Sequence, residues 1–154
     1  MKQSTLYMMV GLPGSGKTTR AKEIEKSQNA IRFSPDEWVA ELYEHRMDGE
    51  HHEQARAQVE KIQWELGKKL LALGQDVILE NGFWSRTERQ SYIEEAKAIG
   101  ALVKIDYEEV PIDELWRRSE KRPETKDVGM LHFTRHDLEG WDAEFEPPTQ
   151  DEVA

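Results

Sequence analysis

The chain is 154 residues long and carries 31 acidic against 21 basic side chains, a formal net charge of -10. That length suits one α/β domain with its own core, and the acidic balance weighs against nucleic acid, whose non-specific affinity comes from lysine and arginine. There is no cysteine for a disulfide framework or a thiolate metal site, no apolar leader before the first core strand and no long apolar span, so the expected setting is cytoplasmic and away from membranes.

In chain order, Thr5 to Val10 is apolar almost throughout, the pattern of a parallel strand covered on both faces. It runs into Gly11-Leu12-Pro13-Gly14-Ser15-Gly16-Lys17-Thr18, which fills the spacing G-x-x-x-x-G-K-[ST]. The spelling has a physical reason. Gly14 and Gly16 allow backbone N–H groups to ring a phosphate chain at a helix N-terminus, where the partial positive charge favours an anion. Lys17 reaches the β- and γ-phosphates, and the Thr18 hydroxyl is placed to ligate Mg²⁺. Gly11, Pro13, Gly14, Ser15, Gly16, Lys17, Thr18 and Thr19 are therefore the expected donor-phosphate set.

A helix is expected from about Gly16 to Gln28, then a short strand at Ala30 to Phe33. Ser34-Pro35-Asp36-Glu37 reads as a helix start, with Ser34 as N-cap, Pro35 in the first turn and Glu37 as capping-box partner. That helix continues through Trp38, Leu42 and Tyr43. After a polar break at Met47-Asp48-Gly49, the residues Ala55, Val59, Ile62, Leu66, Leu70 and Leu73 recur at three and four and predict a long amphipathic helix facing the sheet, closed by Gly74. Val77 to Glu80 is a third strand, with Asn81 and Gly82 expected to turn at its rim. Ser85 to about Ile99 is a helix and Leu102 to Tyr107 a fourth strand. Pro111 opens a helix that ends in Arg117-Arg118-Ser119-Glu120-Lys121-Arg122, Pro123 to about His132 is weakly patterned and reads as a mobile loop, and Thr134 to about Phe145 is helical with Thr134 as its cap. The alternation implies right-handed crossovers in a mostly parallel sheet.

A guanine-specific switch protein would also carry N-K-x-D, which is absent, and large motor-like ATPases need more chain. What remains is a small kinase, in which Mg-bound ATP lies on the loop and an acceptor hydroxyl attacks its γ-phosphate in line. The segments Gly11 to Thr19, Ser34-Pro35-Asp36, Val77 to Arg89 and Arg118 to Arg122 resemble the small P-loop kinases that include polynucleotide 5′-kinase domains, zeta-toxin kinases and chloramphenicol phosphotransferase. The phrases G-L-P-G-S-G-K-T-T, S-P-D-E-W, E-N-G-F-W-S-R-x-E-R and F-E-P-P-T look most like bacterial proteins described as AAA family ATPases, over nearly the whole chain.

The resemblance implies a three-layer P-loop fold with strand order 2-3-1-4, helices on both faces, a single unit over residues 1–154 and a lid over about 117–133. Asp36 matches the carboxylate that serves as general base, close to the acceptor; a first-turn acid is also favoured by the helix dipole alone. Glu80 stands where the usual acid holds Mg²⁺ or positions the acceptor, although relatives more often have Asp; a strand-edge acid in solvent is the alternative. Arg86 and Arg89 are candidate contacts to the acceptor or the transferred phosphate, with pairing of Arg86 to Glu80 or Glu88 as the alternative. Arg118 and Arg122, four apart on one face, resemble lid arginines that stabilise the transferring phosphoryl group; a basic helix end complementing its dipole is the bland reading. Trp38 and Trp84 are core or pocket-wall residues that could also stack on a flat acceptor. The histidines at 51, 52, 132 and 136 lack partner acids in a metal-binding arrangement.

The leading expectation is an ATP-dependent phosphotransferase acting on a hydroxyl of a small or nucleotide-like acceptor. One rival is a polynucleotide 5′-kinase, against which stand the acidic charge and Val39, which occupies the arginine position of the D-x-x-R pattern. The other is a nucleotide-binding regulator with no acceptor.

Overall fold

A computed structural model describes residues 2–43, 49–120 and 133–153. Its centre is a four-stranded parallel sheet of β1 (Thr5–Val10), β2 (Ile31–Phe33), β3 (Val77–Gly82) and β4 (Leu102–Tyr107), in the order β2-β3-β1-β4. This is the expected order. β1 is buried at every position and is flanked on both sides, with Leu6 opposite Val77 on β3 and Val103 on β4. Side chains alternate across a strand, so Leu6, Met8 and Val10 join one core and Tyr7 and Met9 another.

The Tyr7 and Met9 face is covered by α1 (Lys17–Gln28), through Ala21 and Ile24. On the opposite face lie α3 (Gly49–Ala72) and α4 (Arg86–Ile99), which contribute Trp64, Leu71 and Ala96. α2 (Pro35–Tyr43) leads from β2 and packs Val39 against Ala55 and Val59 of α3. A third cluster joins Leu12, behind β1, to Leu115 of α5 (Ile112–Glu120) and Leu138 of α6 (Arg135–Glu144). Trp84, Trp116, Phe133, Trp141 and Phe145 surround it.

Three elements depart from the sequence reading. The long helix turns a different face inward: Ile62, Leu66 and Leu73 are exposed, at 53%, 41% and 71%, whereas Gln63, Trp64 and Leu71 are buried. Gly67 lies on this inward face, where a β-carbon would meet Trp64 and Val77 at ordinary contact distance. A buried glutamine and a glycine do not register in an apolar repeat. β3 also runs on to Gly82, whose carbonyl accepts from the Gly11 N–H at 3.0 Å, and the turn falls instead at Phe83, with φ of 48°. Finally, a short α7 (Gln150–Val153) follows the Pro147-Pro148 stop. Ser34 accepts from the Glu37 N–H as expected of an N-cap, while the Glu37 carboxylate pairs with Arg32 instead of closing a capping box; Thr134 and Asp137 do form a reciprocal one.

No described helix is long and apolar enough to cross a membrane.

Candidate active site

All four strands are parallel, so their C-terminal ends open on one edge, where open α/β sheets place their ligands. The loop after β1 begins there. Gly14 and Gly16 have φ of 88° and 91°, a left-handed geometry that side chains with a β-carbon resist, and a β-carbon on Gly14 would lie 3.3 Å from the Leu115 carbonyl. Gly16 is also the N-cap of α1 and offers no side chain to its orphan N–H groups. Those donors stay available to an anion.

Lys17 folds back over the loop, its Nζ donating to the carbonyls of Gly11 at 2.9 Å and Leu12 at 3.1 Å. Burial pushes its ammonium down to about 8; the charges of Asp36 and Glu80 resist this, while Arg56 and Arg20 add to it. The lysine therefore lies in the field of both predicted carboxylates. Arg20 braces the loop from beneath, donating to the Ser15 carbonyl at 2.8 Å and pairing with Asp106 at the end of β4 and with Glu108.

Asp36 stands in the first turn of α2, and its Oδ1 accepts from Arg56 Nε at 2.9 Å. Arg56 also donates through Nη1 to Glu60 at 3.4 Å and through Nη2 to the Asn81 carbonyl at 3.1 Å. Sequence reasoning missed this arginine. Its only signal was a cation beside Ala55 and Val59 on the inward stripe of α3.

Glu80 is buried at 4% exposure rather than facing solvent, and one of its oxygens, Oε2, is engaged by Arg32 of β2. The same guanidinium pairs with Glu37 at 2.6 Å. Burial opposes the Glu37 charge, but Arg32 more than offsets it and holds the carboxyl below its usual range. Among the described residues no group of three or more histidines and carboxylates forms a metal cage. That donor chemistry suits Mg²⁺ all the same, because the ion prefers hard oxygens, keeps waters and is commonly held by one or two protein groups with the phosphates of its substrate.

Of the arginines, Arg118 lies on the loop, with Nη1 donating to the Gly14 carbonyl at 3.0 Å and Nε to Glu114 at 3.1 Å. Arg117 pairs with Glu114. Arg122 and most of the expected lid lie outside the described residues. Arg86 and Arg89, the candidate contacts to the acceptor or the transferred phosphate, both reach the C-terminal segment. Arg89, 1% exposed, donates to the Phe83 carbonyl at 2.8 Å and pairs with the buried Glu152 carboxylate at 3.2 Å. Arg86 reaches Thr149 and Asp151, each at 3.0 Å, and not Glu80 or Glu88. The sequence places these acids more than sixty residues away, which local spacing does not register. Trp38 packs edge-on to Phe33 and Trp84 stands 6.1 Å from Trp141, both as walls of packed clusters.

With this geometry in hand, comparison with known proteins is direct. The sequence profile of a family described as an AAA domain matches residues 6–148. The chain belongs to that family. This AAA-domain protein has the α/β fold of small P-loop kinases, and several solved structures share it. A Chloroflexus aurantiacus protein provisionally described as a kinase aligns with TM-score 0.78 at 18% identity, over 97% of this chain and 84% of the other. The APS kinase of Mycobacterium tuberculosis, solved with AMPPNP and APS, aligns with TM-score 0.68 at 18% identity, over 97% and 86%. A chain of the Pnkp1/Rnl/Hen1 RNA repair complex aligns with TM-score 0.73 at 22% identity over 94% of this AAA-domain protein, which spans only 44% of that chain. No curated protein matches the sequence.

Proposed function

We propose that this protein is an ATP-dependent phosphotransferase that moves the γ-phosphate of Mg-ATP to a hydroxyl of a small acceptor. The observation that carries the reading is the placement of Asp36 at the sheet edge that bears the phosphate loop: an aspartate in the first turn of α2, held by Arg56, which also donates to the Asn81 carbonyl at the end of β3. Among the described residues Arg56 binds Oδ1, and Oδ2 would serve the substrate. In the proposed step a bond forms between the acceptor oxygen and the γ-phosphorus as the bond to the β,γ-bridging oxygen breaks. The hydroxyl proton passes to Asp36 and ADP leaves. Lys17 and Arg118 would balance charge on the transferring group, as fixed cations worth most where water is thin. Thr18 and Glu80 would hold Mg²⁺, which supplies charge neutralisation on the phosphates. Fold similarity to proteins described as kinases supports the class of reaction.

A polynucleotide acceptor is less well matched. Position 39 is a valine at 2% exposure packed on α3, so the D-x-x-R arginine has no counterpart at that place. Transfer of labelled γ-phosphate into hydroxyl compounds tests the proposal. Lys17→Ala is expected to remove ATP binding, and Asp36→Asn to keep ATP binding while lowering turnover about 100-fold or more. Full turnover in Asp36→Asn would remove it from the role of base.

A further inference from the structure

Beyond Asp36, away from the phosphate loop, a cluster of polar side chains lies between α2, α3, α4 and the end of β3. It comprises Asp36, Arg56, Glu60, Asn81, Glu88 and Tyr92, of which neither Glu60, Glu88 nor Tyr92 has a part in the transfer step above. From this cluster we infer that the acceptor is a small hydroxyl compound without anionic groups, neutral or carrying an ammonium, and not a phosphorylated metabolite or a nucleic-acid end. The inference rests on the phosphotransfer reading and names the class of its second substrate.

Two independent features support it. The first is charge. Three carboxylates surround one guanidinium, and that guanidinium is already engaged with Asp36, Glu60 and the Asn81 carbonyl. Among the described residues of the cluster, an incoming phosphate would meet three acids and no uncommitted arginine. Burial pushes the Glu60 carboxyl up to about 7; Arg56 resists, while Glu88 and Asp36 push it further. Lys17 acts on this cluster from the phosphate loop and Arg89 from α4, but Arg89 is committed to Glu152 and Arg56 to Asp36 and Glu60, so an acceptor that brings its own anion sets a further negative charge beside these acids.

The second feature is unpaired amide. Asn81 is 5% exposed, and its Nδ2 lies 3.2 Å from the Tyr92 hydroxyl, yet its Oδ1 has no protein partner. A buried carbonyl oxygen without a partner is costly, and it accepts from a hydroxyl or an ammonium but repels an anion. Carboxylates accept from hydroxyls and ammonium groups alike.

The test is transfer from γ-labelled ATP into a panel graded by charge: glycerol, glucose and adenosine; glucosamine and streptomycin; glucose 6-phosphate, AMP and a 5′-hydroxyl oligonucleotide. Product from the neutral or ammonium-bearing members, with none from the anionic ones, is the expected result. The ammonium members are expected to exceed neutral ones by roughly 10-fold in kcat/KM, and the Glu60→Gln/Glu88→Gln double variant to bring that ratio to about one while KM for ATP holds. Preferred labelling of an anionic member, or an ammonium preference that survives the double variant, overturns the inference and leaves the phosphotransfer reading standing. No label in any member by a protein that binds ATP overturns both.

Discussion

Arg56 ties three elements together through one guanidinium, so its removal reaches the chemistry through Asp36. Arg56→Ala is expected to lower kcat about 10- to 100-fold with KM for ATP within about 3-fold, and Arg56→Lys to recover part of the loss, since lysine keeps the charge but not the fork. A steady-state comparison of the two variants checks this. Glu60 gives a second handle, in pH. Its carboxyl is pushed up to about 7 in the folded chain, from an ordinary glutamate value of 4.5. Between these values the folded state holds a proton that the unfolded state has released, so the stabilisation is full below about 4.5 and is lost as pH rises through 7. Glu60→Gln is therefore expected to match the parent near pH 5 and to exceed it by about 1 kcal/mol near pH 8. Thermal melts across that range would show the gap opening; a gap that ignores pH would contradict the titration. Lys17 and Asp36 were legible in the sequence because a motif and a helix start announce them locally. Arg56 was not, because its partner Asp36 lies twenty residues away on another helix.

At the scale of elements, the pattern of strands and the starts of helices were readable because capping chemistry and two-residue alternation act within a few residues. The inward face of α3 was not, since Gln63 and Gly67 lie on it and neither registers in an apolar repeat. α7 has four residues, all but Val153 polar, too little for a periodic signal. Yet it supplies Glu152, whose side chain is fully buried against Arg89. Removing one partner of a buried ion pair leaves an uncompensated charge, so Glu152→Ala is expected to cost about 3–5 kcal/mol in urea unfolding, while Asp151→Ala, an exposed partner of Arg86, stays within about 1 kcal/mol. Equal losses in the two variants would show that the buried pair carries no special weight.

Over the whole molecule, four parallel strands carry the loop, Asp36 and Glu80 to one edge, and this convergence depends on strand order rather than on any single phrase of sequence. A ligand that binds only the folded chain raises its melting temperature by mass action. At about 100 times its Kd, Mg-ATP is expected to stabilise the protein by about 2.7 kcal/mol, and Lys17→Ala to abolish the shift. An unshifted parent would argue against nucleotide binding. The cluster around Leu12 has a practical bearing on such measurements. Three of the five tryptophans, Trp84, Trp116 and Trp141, pack with it directly behind the phosphate loop. Intrinsic fluorescence is therefore expected to shift when the loop is filled, in real time and without a dye; an emission unchanged by saturating Mg-ATP would show that these rings do not sense it.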